Sequence, residues 1–218
     1  MILRDVLKRV IDLGIGIPLF FLFLPLVLVL LLVVGLDSPG NPLFTQTRVG
    51  KRGGIFTLYK LRTFYRHRHG VFPNEEIRFG DPRVTRAGQY LRLLKLDELP
   101  QLLNVLLGDM SLVGPRPDIP VQAQVYGSFE SVRLNVRPGL TGLVQISGNT
   151  WLRWPERILL DRWYVENQSL RLDLLILLHT LPVVLRGERP TDDPIGIRRL
   201  TLIERPAYLK IYGKGDIK

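Results

Sequence analysis

An uncharged, apolar run at residues 13–36 is the strongest feature of the hydropathy pattern, and it consists mainly of Leu, Val, Ile and Phe. A helix of this length can cross the hydrocarbon core of a bilayer, which is roughly 30 Å thick. The apolar part of a secretory signal peptide is shorter, about 7 to 15 residues, and a small-residue cleavage site follows it. This run ends instead in Gly-Leu-Asp-Ser-Pro at residues 35–39, so we expect a retained membrane helix.

Basic residues lie on both sides of the apolar run, and basic flanks favour the cytoplasmic side of a membrane. A helix that enters the membrane, bends and returns would place both flanks on that side, and Pro25 near the middle of the run supplies a bend. A kinked ordinary span is the alternative, because transmembrane helices tolerate proline. The flanking charges and the proline alone favour neither the re-entrant helix nor the spanning helix. The flanking residues are Arg4, Lys8 and Arg9 before the run, and Arg48, Lys51, Arg52, Lys60 and Arg62 after it.

The rest of the chain has the mixed pattern of a globular domain. Residues 43–46 and 55–61 read as extended segments joined by a turn at residues 50–54. Helical periodicity follows at residues 87–95 and again at residues 97–107, where Gly108 is a natural stop. The apolar face predicted for the second helix comprises Leu99, Leu102, Leu103, Leu106 and Leu107.

Two further helices are predicted at residues 158–167 and 172–185, and neither is long enough to span a membrane. The first would either cover the core or lie in the membrane interface. The polar segment 65–86 is expected to be a surface loop. The pattern predicts a mainly helical α+β fold with three parts: a membrane segment at 1–36, one small domain at 37–189, and a basic tail at 190–218 to which we assign no role.

Composition narrows the chemistry. The 218 residues include no cysteine, which excludes disulfides. Their three histidines, His67, His69 and His179, are too few and too scattered for a zinc centre. The net charge of +10 indicates an anionic partner, which could be nucleic acid, an acidic lipid surface or a phosphorylated substrate.

The adjacent carboxylates Asp97 and Glu98 are the main candidates for catalysis. They fall at the start of a predicted helix, where acidic residues also serve as caps, so a purely structural role is the alternative. Arg92, Arg116 and Arg137 lie near them in sequence or in proline-containing turns, and guanidinium groups bind phosphate in a bidentate fork. A carboxylate beside a diphosphate also suits Mg²⁺. Together these residues predict a site for a nucleotide diphosphate.

Seven ordered motifs resemble those of the monotopic phosphoglycosyl transferases, the bacterial sugar transferase family whose members prime undecaprenyl phosphate. The resemblance runs from about residue 8 to residue 186. The motifs are KRVID at 8–12, FTQTRVG at 44–50, YKLRT at 59–63, DPRVTR at 81–86, LDELPQ at 96–101, GDMSLVGPRP at 108–117 and RPGLTG at 137–142.

The resemblance implies a re-entrant helix-break-helix at the N-terminus, with Pro25 at the break, and a small cytoplasmic catalytic domain with interfacial amphipathic helices. Family members often have Ser-Pro at the break, whereas Leu24 precedes Pro25 here. The expected location is the bacterial inner membrane, with the catalytic domain on the cytoplasmic face and membrane lipid as a partner. A homodimer is left open.

The resemblance also implies a reaction. Asp97 would attack the sugar-linked phosphate of a UDP-sugar, release UMP and form a covalent phosphosugar intermediate, which polyprenyl (undecaprenyl) phosphate would then attack. This step would initiate the assembly of a bacterial glycoconjugate. Asp97 and Glu98 would hold Mg²⁺, with Glu98 positioning metal or substrate. Arg116 is expected to contact the nucleotide or its phosphate, and Arg92 and Arg137 are weaker candidates.

Two rival functions remain on the residues alone. A membrane-tethered nucleic-acid-binding protein would use the basic segment 62–69, but no known binding fold is recognisable and the carboxylate pair is left unexplained. We therefore expect no nucleic acid partner. A direct glycosyl transferase would release UDP instead of UMP.

Overall fold

The computed structural model describes residues 2–65 and 80–186, which form a mainly helical α+β fold. The first element, α1 (Ile2–Asp37), is one apolar helix, about 54 Å long at 1.5 Å per residue. By length and composition it could cross a membrane. The helix continues through Pro18 and Pro25, so the break predicted at Pro25 is not confirmed. A proline removes one backbone hydrogen bond, and a long helix can continue through it with a kink. The predicted tail at 190–218 and most of the predicted loop lie outside the described residues.

Both ends of α1 are bound to the same globular domain. Near the start of the helix, Lys8 Nζ lies 2.8 Å from Asp173 Oδ2, and Arg9 Nη2 donates to the carbonyl oxygen of Leu106 at 2.8 Å. Just beyond its end, the buried guanidinium of Arg62 donates to the carbonyl oxygens of Ser38 at 2.6 Å and Pro39 at 2.8 Å. Arg62 is thereby removed from the basic surface that a nucleic-acid-binding protein would need.

A β-hairpin follows α1, as the sequence predicts. Strands β1 (Leu43–Val49) and β2 (Ile55–Leu61) pair antiparallel, and β1 is three residues longer than the predicted segment. Helix α2 (Arg86–Leu93) begins after Thr85, whose hydroxyl accepts a hydrogen bond from the amide of Gly88. This N-cap satisfies one of the free amides of the first turn.

The helix predicted at 97–107 is divided in the structure. Residues Leu96–Glu98 form a 3₁₀ turn, and α3 (Gln101–Leu107) begins only after Pro100. Lys95 adopts a left-handed conformation with φ of 56°, which interrupts the right-handed helical path just before the turn. Gly108, with φ of 94°, ends α3 as predicted.

The apolar face predicted for α3 is wrong in part. Leu102 and Val105 are buried, whereas Leu103 and Leu107 are exposed. The difference arises because α1 and β2 contact α3 on the side that carries Val105 and Asn104.

Asn104 joins α3 to β2. Its Oδ1 accepts a hydrogen bond from the amide of Tyr59 at 3.1 Å, and its Nδ2 donates to the carbonyl oxygen of Thr57 at 2.7 Å. We expect Asn104→Leu to lower the free energy of unfolding by about 3 kcal/mol, because two backbone groups lose their partner. Chemical denaturation in detergent would measure it. The control is Asn167→Leu, which removes an exposed hydrogen bond and should change stability by less than about 0.5 kcal/mol.

The strands β3 (Ser111–Val113) and β4 (Gly139–Thr141) form a parallel pair that the sequence did not predict. Glycines allow this close approach. A Cβ atom on Gly139 would lie 2.0 Å from the amide nitrogen of Gly114, and one on Gly142 would lie 2.2 Å from the carbonyl oxygen of Gly114. This close backbone contact at Gly114 fixes the path of the chain as it leaves β3, which ends three residues before Arg116.

The remaining helices are α4 (Pro120–Gln124), α5 (Leu143–Ile146), α6 (Trp154–Glu166) and α7 (Leu170–Arg186). Helix α6 buries Ile158, Leu160 and Tyr164, so this segment covers the core and the interfacial alternative is not supported for it. Helix α7 buries Leu172 and Ile176 but exposes a row of leucines on its other side. These are Leu174, Leu178, Leu181 and Leu185.

Candidate active site

Asp97 and Glu98 lie in the 3₁₀ turn between α2 and α3. Leu96 anchors this turn, because its side chain packs against Val34 of α1, Leu61 and Leu91. Neither carboxylate caps α3, whose N-terminal residue carries no side-chain cap. An acidic N-cap, one form of the structural alternative raised by the sequence, is therefore absent at α3.

Glu98 is committed to two cations. Its Oε1 accepts from Lys60 Nζ and from Arg116 Nη2, each at 2.8 Å. Burial opposes ionisation of the carboxyl, but Arg116 and Lys60 hold the pKa of Glu98 well below its usual range. Glu98 is therefore ionised, and its carboxylate fixes the positions of both cations.

Asp97 is the opposite case. Its side chain is buried, yet within residues 2–65 and 80–186 no group donates a hydrogen bond to its carboxylate. Burial raises the pKa of Asp97, Lys60 lowers it, and the neighbouring charge of Glu98 raises it again. Two adjacent carboxylates thus have different environments, which is how active sites give two like groups different roles.

The three predicted arginines do not all meet at this pair. Arg116 contacts Glu98 directly. Arg92, in the last turn of α2, lies with its guanidinium 5.3 Å from the centre of the Phe64 ring, and its charge lowers the pKa of Asp97. Arg137 lies at the other end of α3, where its Nε donates to the carbonyl oxygen of Gly108 at 2.9 Å.

Lys60 and Arg48 are two cations near the pair that were not predicted as site residues. Lys60 reaches Glu98 from β2. Of the nearby positive charges, that of Lys60 lowers the pKa of Asp97 the most and so favours its ionisation most strongly. Burial, reinforced by the charge of nearby Arg116, lowers the pKa of Arg48 to about 10. Both residues belong to motifs that carry the family resemblance, YKLRT and FTQTRVG, and that was the available signal.

The two carboxylates could supply part of the coordination of Mg²⁺, but not all of it. Among the described residues no group of three or more His, Asp or Glu side chains could enclose a metal ion. Magnesium, however, commonly takes one or two carboxylates together with substrate phosphates. The uncommitted carboxylate of Asp97 fits that pattern. On Glu98, Oε1 is occupied by Lys60 and Arg116, which leaves Oε2, 3.5 Å from Arg116 Nη1, as the oxygen that could bind a metal.

Residues 3–187 match the model of one protein family, described as bacterial sugar transferase. Relatives include UDP-glucose:undecaprenyl-phosphate glucose-1-phosphate transferase of Caulobacter vibrioides, 44% identical over 189 residues, covering 83% of this chain and 70% of that protein. The exopolysaccharide production protein ExoY of Sinorhizobium fredii is 38% identical over 194 residues, 83% of each chain.

A third relative is undecaprenyl-phosphate galactose phosphotransferase of Salmonella typhimurium. It is 38% identical over 196 residues, which are 84% of this chain and 41% of that longer protein. The family match covers α1 from its second residue, both sheets and the carboxylate turn. The chain therefore belongs to the bacterial sugar transferase family.

Proposed function

We propose that the protein transfers a sugar phosphate from a UDP-sugar to undecaprenyl phosphate and releases UMP. The names of its relatives support this donor and acceptor, and the ExoY match supports a place in exopolysaccharide assembly. The carboxylate pair carries the mechanistic part of the proposal, because Glu98 is held by two cations while Asp97 is buried and uncommitted.

In the proposed first step, an oxygen of the Asp97 carboxylate attacks the sugar-linked phosphorus of the donor. The bond from this phosphorus to the bridging oxygen breaks, and UMP leaves with that oxygen. The product is a phosphosugar bound to Asp97 as an acyl phosphate. Separating the two substrates in this way suits a soluble donor and a lipid acceptor.

In the second step, a phosphate oxygen of undecaprenyl phosphate attacks the same phosphorus, and the bond to Asp97 breaks. The carboxylate is restored without net proton transfer. Lys60, Arg92 and Arg116 supply positive charge beside the reacting phosphates, which is the main requirement of phosphoryl transfer. Mg²⁺ bound by Asp97 and the donor diphosphate would add to this neutralisation.

Nucleotide release tests the reaction class. Protein in nanodiscs is mixed with Mg²⁺, undecaprenyl phosphate and, in turn, each of a panel of UDP-sugars, and the nucleotides are separated by chromatography. UMP is the expected product and identifies the donor. UDP would instead indicate direct glycosyl transfer and contradict the proposal.

We further propose that α1 is re-entrant and that the domain lies on the cytoplasmic face of the inner membrane. The same domain binds α1 near Lys8 and near Ser38, as expected if both ends lie on one side of the bilayer. The exposed leucine row of α7 is suited to the membrane interface.

Single-cysteine labelling tests this topology cleanly, because the protein has no native cysteine. Leu3→Cys and Asn41→Cys place one thiol at each end of α1, and Arg153→Cys marks the domain. We expect a membrane-impermeant maleimide to label all three in inside-out vesicles and none in spheroplasts. A spanning helix would give the opposite result for Leu3→Cys: labelling in spheroplasts only.

A further inference from the structure

After β3, residues 115–118 form a stretch that we call the 115–118 loop. Each of its four backbone carbonyls accepts a hydrogen bond, and the four donors come from three segments of the chain, two of them from β1. Pro115 and Pro117 have no amide hydrogen, so the loop is fixed mainly through its oxygens. The donors to residues 115, 116, 117 and 118 are, in order, Gly139 N at 2.8 Å, Arg133 Nη2 at 3.1 Å, Arg48 Nη1 at 2.8 Å and Val49 N at 2.9 Å.

Arg133 is the most deeply buried of the side chains that hold this loop, with 6% of its side chain exposed. Besides the carbonyl oxygen of Arg116, its guanidinium contacts the carboxylate of Asp118 and lies 2.6 Å from Asp161 Oδ2 on α6. It also donates to the hydroxyl of Tyr126 at 2.9 Å. One planar fork therefore connects the loop to the core helix α6, and an ammonium group could not reproduce this geometry.

The loop matters because it carries Arg116, whose side chain is 37% exposed. A partly exposed ion pair is weak when both side chains must be ordered from solution. Because the backbone is fixed at all four carbonyls, much less entropy is lost when the ion pair forms. The fixed backbone also directs the Arg116 side chain toward Glu98. Without the Arg133 guanidinium, Arg116 and Glu98 would both still be present, but the position of Arg116 relative to Glu98 would no longer be fixed.

We propose that Arg133 is a positioning residue that acts through Arg116: it holds the 115–118 loop so that Arg116 binds Glu98 and faces the donor phosphates. The catalytic consequence rests on the proposed function, whereas the structural part does not. Arg133 itself contacts neither carboxylate of the site; its partners are the loop, Tyr126 and α6.

A double-mutant cycle tests the catalytic consequence by steady-state UMP release at varied concentrations of both substrates. Arg133→Lys should slow the reaction about ten- to a hundredfold and raise the KM for the UDP-sugar more than the KM for undecaprenyl phosphate. In an Arg116→Met background it should have no further effect. Effects of the two substitutions that multiply would show that Arg133 does not act through Arg116, and would overturn the proposal.

Amide hydrogen exchange tests the structural part without any turnover. The amides of Val49 and Gly139 donate to the loop carbonyls of residues 118 and 115, so both should exchange at least about tenfold faster in Arg133→Lys. Arg162→Lys on α6, whose guanidinium pairs with Glu166, is the matched control and should leave these amides unchanged. Should Arg133→Lys fail to fold, Asp161→Asn weakens the same fork and is expected to act in the same direction.

The two measurements separate the two failures. If wild-type protein releases no UMP from any UDP-sugar, the proposed function fails, and faster exchange in Arg133→Lys would still support the positioning of the loop. If UMP is released but exchange at Val49 and Gly139 does not change, the positioning role of Arg133 is wrong.

Discussion

Asp97→Asn is expected to abolish formation of the phosphosugar adduct and to slow UMP release at least about a thousandfold. An amide is a poor nucleophile and cannot form the acyl phosphate. The substitution should leave the fold intact, because the described residues donate no hydrogen bond to the Asp97 carboxylate and asparagine has nearly the same shape. Intact-mass spectrometry after rapid mixing with the UDP-sugar measures the adduct, and chromatography measures UMP.

Glu98→Gln is the matched control at the adjacent position. It keeps the nucleophile but weakens the contacts with Lys60 and Arg116, so the adduct should still form, at a rate reduced about ten- to a hundredfold. Adduct formation by Asp97→Asn, or an adduct mapped to Glu98 by peptide analysis of the wild type, would show that Asp97 is not the nucleophile.

The two carboxylates show how far sequence alone could identify this site. The Asp-Glu pair was recognisable, but a helix N-cap explained it equally well. What distinguishes the two carboxylates in the structure is the pair of cations around Glu98, and Lys60 reaches it from a strand that is far away in sequence. Strand register and long-range packing determine such contacts, and the local pattern of apolar and polar residues carries no information about either.

The fold shows the same division. The hairpin turn at Gly50–Gly54 and the end of α3 at Gly108 follow from local backbone preferences, and both predictions are confirmed. The three-residue strands β3 and β4 were missed because they are too short to give a period, and their pairing depends on backbone contact at Gly114 and Gly139. The exposed leucines of α3 and α7 were also beyond a periodicity argument, since an exposed leucine and a core leucine look alike in sequence.

Lys60→Met is expected to move the acid limb of the pH dependence of kcat/KM to higher pH and to lower kcat/KM at neutral pH about a hundredfold. The sign follows from the groups around Asp97. Burial already raises the pKa of Asp97, and of the nearby positive charges that of Lys60 lowers this pKa the most. Without that ammonium group the pKa rises further, so a smaller fraction of Asp97 is ionised at any given pH, and the loss of rate is greatest in acid.

The control for a general loss of positive charge is Lys51→Met. Lys51 is paired with Asp5, and its removal should not move the pH profile. Measurements of kcat/KM across the acid range for both variants would decide the question. A Lys60→Met profile that is uniformly lowered but not displaced would mean that the lysine acts only by fixing Glu98. A displaced profile would mean that the charge of Lys60 on β2 sets the protonation state of Asp97, which would explain why a strand lysine lies half-buried beside two carboxylates.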